Sequence, residues 1–130
     1  MLIATLQFDV LVRGSSSLKD KRRVVLSLKD RLHREHMVAV AEVAHQESHT
    51  LAGLGLAMVG SDETHLSQTI DRLIAKLREI VSYAGDMGAE LGEVRKRLVH
   101  LSDLPEAREG LTSTEADTLA EEMLRRAELP

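Results

Sequence analysis

The chain has 130 residues, of which 43% are hydrophobic and 29% charged, with a net charge of −4; these values describe one globular domain with a core of its own and exclude a disordered chain. The lack of cysteine excludes disulfides, thiolate metal centres and cysteine nucleophiles, and no run approaches the ~20 apolar residues of a membrane-spanning helix. Aromatic residues are limited to Phe8 and Tyr83, so the core must be built from Leu, Val, Ile, Met and Ala.

Leu2–Val12 alternates with a period of two, which predicts a half-buried strand. Leu2, Ala4, Leu6, Phe8, Val10 and Val12 share its apolar face. With Asp9 inside it, this opening is not read as a signal peptide, and a cytoplasmic protein is expected. Arg13–Ser16 breaks the pattern as a loop. Ser17, with Asp20 three residues on, predicts an N-cap and a capping-box-like partner for a helix from Leu18 to about Glu35. Val24, Val25, Leu28 and Leu32 form its buried stripe. Lys21 lies beside that stripe and is expected to snorkel from the first turn.

Met37–His45 predicts a second strand, with Val38 and Val40 inward. Glu42 continues on that inward face. Either a bulge re-aims it or it lies at the sheet end beside a base. A polar connection, Gln46–Thr50, leads to a third strand over 51–59, so the pair reads as a hairpin. Ser61 and Asp62 offer the N-cap of a second helix. Its stripe (Leu66, Ile70, Leu73, Leu77, Ile80, Ala84) is the cleanest helical period in the chain, and Gly85–Gly88 ends it. Glu90–Leu101 fits strand or helix locally; a βαββα order needs a fourth strand, and a strand is expected. After a linker opened by Leu104 and Pro105, Thr114 to about Glu128 predicts a helix with a thin stripe of Leu119, Met123 and Leu124.

The order predicts a ferredoxin-like α+β sandwich over 1–101, a four-stranded antiparallel sheet with two helices on one face, and a linker with a helical extension over 102–130. The uncovered face would show Ile3, Thr5, Leu11, Ala39, Ala41, Val43, Gly53, Gly55, Ala57 and Val59. A flat apolar patch of that kind marks an interface, and a homodimer through it or an adjoining strand edge is expected.

Charge is unevenly spread. Between Arg13 and His36 eight bases stand against three acids, an excess of +5, while residues 86–130 hold eleven acids and six bases, an excess of −5. Lys19, Arg22, Arg23, Lys29 and Arg34 share an outer side of the first helix. They are the candidate contacts to a partner or nucleic acid.

The segments Gly14-Ser15-Ser16-Ser17-Leu18-Lys19-Asp20-Lys21-Arg22-Arg23-Val24, Val38-Ala39-Val40-Ala41-Glu42-Val43 and Leu54-Gly55-Leu56-Ala57 resemble the DUF503 family, whose bacterial members are called YlxP-like proteins. The resemblance spans roughly residues 1–100. It implies a ferredoxin-like fold and dimers but no activity. Members are often encoded near translation and ribosome-maturation factors, including ribosome-binding factor A, which suggests a ribosome or RNA connection. Ala44 stands where relatives often have an acid.

Other chemistry has less support. His45 and His49 with Glu42 are the weak candidates for a metal, but four-residue spacing converges ligands on a helix, and here a strand end and turn are expected. His33 and His36 close the first helix, where a protonated ring suits the dipole. Gly14–Ser17 leads into a helix N-terminus with bases following, yet neither phosphate-loop pattern is present. No catalytic residues and no cofactor are assigned. The sequence therefore predicts a non-enzymatic interaction domain, ribosome- or RNA-associated. Its alternatives are a small-ligand or metal-binding sensor or enzyme near Glu42, His45 and His49, and a purely structural oligomerisation module.

Overall fold

The computed structural model describes residues 1–84, 88–106, 110 and 112–128. The turn expected at Gly85–Gly88 lies, in its first three residues, outside the described residues. The element order is β1 (Leu2–Val12), α1 (Leu18–His36), β2 (Ala39–Ala44), β3 (Leu51–Gly60), α2 (Glu63–Ser82), β4 (Ala89–His100), a 3-10 turn (Leu101–Asp103) and α3 (Ser113–Ala127).

The strands form one antiparallel sheet in the order β2-β3-β1-β4. This is the ferredoxin-like βαββαβ arrangement. β1 is central because its alternation is the most regular in the chain: Leu2, Ala4, Leu6, Phe8, Val10 and Val12 are all buried. Onto that face α1 sets Val24, Val25, Leu28 and Leu32, and α2 sets Leu66, Ile70, Leu73, Leu77, Ile80 and Val81. Both helices therefore cover the same side, and the core is a single aliphatic layer around Phe8.

Caps define the helices. Ser17 Oγ accepts from the Asp20 N–H, while the Asp20 carboxylate reaches one residue further back, to the Ser16 N–H and hydroxyl. Met37 closes α1 in the left-handed region (φ 53°), its N–H bonded to the His33 carbonyl. The second strand consequently starts at Ala39 rather than at Met37. Asp62 caps α2, and Thr112 and Glu115 form a reciprocal capping box on α3.

Two bulges set which side chains of the outer strands face the core. In β2 Glu42 faces inward in regular phase with Val40, and beyond it the pairing passes from Glu42↔Leu54 to Ala44↔Gly53, leaving Val43 extra and turning Ala44 to the outward phase. In β4 it passes from Val94↔Phe8 to Leu91↔Val10, with Gly92 and Glu93 opposite Asp9.

Candidate interaction surfaces

The structure corrects the expectation for Lys21. Its side chain does not snorkel: the residue is 1% exposed and lies in line with the core stripe. Its Nζ donates to the carbonyls of His45 (2.8 Å), Leu51 (3.2 Å) and Gln46 (3.3 Å), and lies 3.5 Å from Glu42 Oε1. Three carbonyls match the three N–H donors of an ammonium, so the group is satisfied although buried. Lys21 thereby ties α1 to both ends of the β2–β3 connection. His45 there adopts φ 59°, and Ser48 Oγ accepts from the N–H groups of Thr50 and Leu51. Of the two causes expected for the inward position of Glu42, the base is the one found: Glu42 keeps the phase of Val38 and Val40 and meets Lys21 near the end of the strand, and the bulge comes only after it.

That arrangement also accounts for Glu42 and His45, while His49 is exposed in the connection. The Glu42 carboxylate faces Lys21, and His45 Nε2 lies 3.6 Å from Asp9 Oδ1. Among the described residues no group of three or more His or carboxylate side chains is placed to hold a metal ion. At the start of α1 the Asp20 carboxylate already accepts the Ser16 donors that a phosphate would use, and the Ser15 hydroxyl is turned to the Ser17 carbonyl.

The first surface is the outer side of α1. At about 100° per residue, Lys19, Arg22, Arg23, Lys29 and Arg34 fall within an arc of roughly 140° opposite the core stripe. Arg22, Arg23, Lys19 and Arg34 are exposed and Lys29 half-exposed. None of the five forms an ion pair among the described residues, in contrast to Arg31, which is held by Glu35. Arg23 is near enough to help hold the Asp20 carboxyl below its ordinary range, after the larger effects of the Ser16 N–H and hydroxyl. Leu26, 58% exposed, sits in the middle of these bases. An open depression of about 450 Å³ runs over Arg23, Leu26, Ser27, Asp30, Arg31 and Arg34.

The second surface is the sheet face away from the helices. Ala39, Ala41, Gly55, Ala57 and Val59 lie there, flat and small, and Val59 is 66% exposed. The chain's own helix α3 does not cover them: every described residue of α3 is exposed. The face is less apolar than the sequence suggests, because β4 contributes to it. By register, Thr5 stands opposite Arg97 and Gln7 opposite Arg95. These four residues and Lys96 line an open concavity of about 400 Å³. Lys96 points the other way and pairs with Asp71 of α2 at 2.5 Å, whereas Arg95 and Arg97 form no ion pair among the described residues. Arg95 and Arg97 are missing from the sequence-derived candidates. The signal that could have found them is the strand phase, since inward Val94 and Leu98 leave 95 and 97 outward.

Neither surface offers an aromatic ring for base stacking: Phe8 is buried in the core and Tyr83 is exposed at the C-terminal end of α2. Among the described residues no helix is long and apolar enough to cross a membrane.

No curated protein matches the chain. Among solved structures, the de novo designed protein Foldit4 is similar with a TM-score of 0.42 and 13% identity, over 75% of this chain and 97% of that one. A likeness that remote carries no argument. A family model described as "Protein of unknown function (DUF503)" matches residues 3–84, a shorter span than the roughly 1–100 of the motif resemblance. That match runs from β1 past the end of α2, more than half of the sequence, and the chain belongs to the DUF503 family.

Proposed function

We propose that this is an interaction domain that holds a structured RNA, in the setting of a ribosomal particle, through phosphate contacts from the outer side of α1. The carrying observation is that Lys19, Arg22, Arg23, Lys29 and Arg34 share one arc with no carboxylate paired to any of them among the described residues, in a protein of net charge −4. The acids beside this arc, Asp20 near Arg23 and Asp30 within it, are too few to offset five bases, and like charges at neighbouring helical positions repel. A phosphate backbone supplies the missing counter-charge at a spacing that long, flexible side chains can follow. The absence of stacking aromatics on the sheet fits recognition by shape and backbone rather than by base identity. The motif resemblance to a family encoded near ribosome-maturation factors supports the same direction.

The test is co-sedimentation and fluorescence polarisation with ribosomal particles and a structured ribosomal RNA fragment at rising salt. Five phosphate contacts give a log–log salt slope of about −4, and Arg22→Glu/Arg23→Glu lowers its magnitude by about 2. Equal binding by wild type and variant removes the reading.

A further inference from the structure

The open sheet face and α3 are two surfaces that lack a partner among the described residues, and their chemistry is complementary. α3 is amphipathic: Ala116, Leu119, Ala120, Met123 and Leu124 follow the i, i+3, i+4, i+7, i+8 pattern of a helix that packs on something. Leu119, Met123 and Leu124 are nevertheless exposed. A 15-residue helix is at the lower limit of what stands alone in water, and most helical stability in proteins comes from packing an apolar face. Acids border the stripe on both sides, Asp117 and Glu121 on one and Glu115 and Glu122 on the other, of which Glu122 is held by Arg126. The sheet offers a flat floor of Ala41, Gly55 and Ala57 with Val59 beside it, bordered on the β4 side by the unpaired Arg95 and Arg97. Small residues let a helix approach a sheet closely. Arg95 and Arg97 give that border the charge opposite to the exposed Asp117 and Glu121 of α3.

We propose that α3 docks on the open sheet face of a second copy of this chain, and that the exchange is reciprocal. Among the described residues nothing of the same chain covers either surface, and α3 does not lie on its own sheet. Reciprocity follows from size. A helix of 15 residues is about 22 Å long and ~10 Å across, too small alone for the roughly 1,200–2,000 Å² of a stable interface, whereas two exchanged helices approach that range. A two-fold axis supplies both at once. The surface lies on the opposite side of the sheet from α1, so its failure and that of the RNA reading are separate events.

The full chain is compared with Leu119→Asp/Met123→Asp by multi-angle light scattering and hydrogen exchange at micromolar concentration. These side chains are exposed and outside the packed core, so the variant retains a folded domain, verified by its far-UV spectrum and cooperative melting. The wild type is expected at twice the 14.4 kDa of the chain with protected α3 amides, and the variant at the single mass with unprotected ones. Arg95→Glu/Arg97→Glu raises the dimer Kd at least tenfold, and adding Asp117→Arg/Glu121→Arg lowers it again. A monomeric wild type overturns the proposal, whether its α3 amides are protected by its own sheet or not. So does a dimer indifferent to Leu119→Asp/Met123→Asp.

Discussion

Replacing Lys21 by Met keeps the aliphatic stem in the α1 stripe and removes only the ammonium. Two sets of partners are left behind. The carbonyls of His45, Gln46 and Leu51 lie at 2.8 to 3.3 Å from Nζ, and the Glu42 carboxylate is further away, at 3.5 Å, with its side chain 18% exposed. An unsatisfied buried acceptor costs about 1–3 kcal/mol, and breaking a fully buried ion pair about 3–5 kcal/mol. Both figures must be reduced here. His45 and Gln46 are exposed residues whose carbonyls can be rehydrated by a small loop movement, and Glu42 can turn to solvent. The expected loss is therefore about 3 kcal/mol, near the lower end of the ion-pair range. For a chain of this size that lowers Tm by roughly 12 °C.

The distances also rank the partners. If the carbonyls are the main ones, Glu42→Gln costs only about 1 kcal/mol, and the Lys21→Met/Glu42→Gln cycle shows a coupling of about 1 kcal/mol or less. If the ion pair dominates, the coupling approaches the whole Lys21→Met effect. Urea unfolding of the four chains, followed by circular dichroism, separates these outcomes. Hydrogen exchange at Ser48 and Leu51 would show whether the β2–β3 connection loosens. A Lys21→Met loss below about 1 kcal/mol, the scale of an ordinary exposed pair, would refute the assignment of Lys21 as the tie between α1 and the hairpin.

At Gly53 a Cβ would lie 2.7 Å from the Ala44 Cβ and 3.2 Å from its Cα and carbonyl oxygen; Gly53→Ala is expected to cost about 1–3 kcal/mol by overpacking, with Gly53→Ala/Ala44→Gly recovering part of it in the same urea assay. The carboxyls of Asp20 and Glu90 are both held below their ordinary range, Asp20 chiefly by the Ser16 N–H and hydroxyl, Glu90 by its bond to Arg13 and then by that charge. Groups depressed in the folded state contribute stability that is present above their unfolded values, near pH 4, and lost as pH falls through the folded ones. Asp20→Asn/Glu90→Gln should therefore melt with a shallower decline than wild type below about pH 4, and superimposable curves would deny these groups a part in acid unfolding.

The sequence makes β1 and α2 readable because their periods are undisturbed from end to end, and α1 because Lys21 alone interrupts its stripe. β4 is ambiguous for a definite reason. Its large apolar inward residues are Leu91, Val94 and Leu98, a spacing of three and then four, which imitates a helix. The bulge opposite Asp9 produces that spacing by shifting the inward phase one residue between Leu91 and Val94. The same shift conceals Arg95 and Arg97, since without the phase nothing distinguishes them from Lys96. Lys21 is misleading in sequence because a base in a core stripe ordinarily snorkels, and the carbonyls that receive it come from a loop some 25 residues further on. Glu42 is the readable hint. A base and an acid, each at a core-facing position of its own element, are more economically explained by one contact than by two separate exceptions.

The two proposed surfaces bear on a choice the sequence leaves open. A purely structural oligomerisation module is favoured if assembly buries the basic helix together with the sheet face. The fold works against that. α1 and α2 both pack on the side of the sheet that carries Phe8, and the open face is on the other. Two copies joined through open faces and exchanged α3 helices would therefore carry their α1 helices on the outside, away from the contact. Such a dimer presents its two sets of bases on opposite outer faces, so one polyanion engages both only by wrapping around the pair, and a short one engages a single set. Five exposed bases make a weak, salt-sensitive contact singly. An RNA long enough to wrap the pair is therefore expected to bind more tightly than a short one, and equal affinity for both lengths would confine the contact to one α1 at a time.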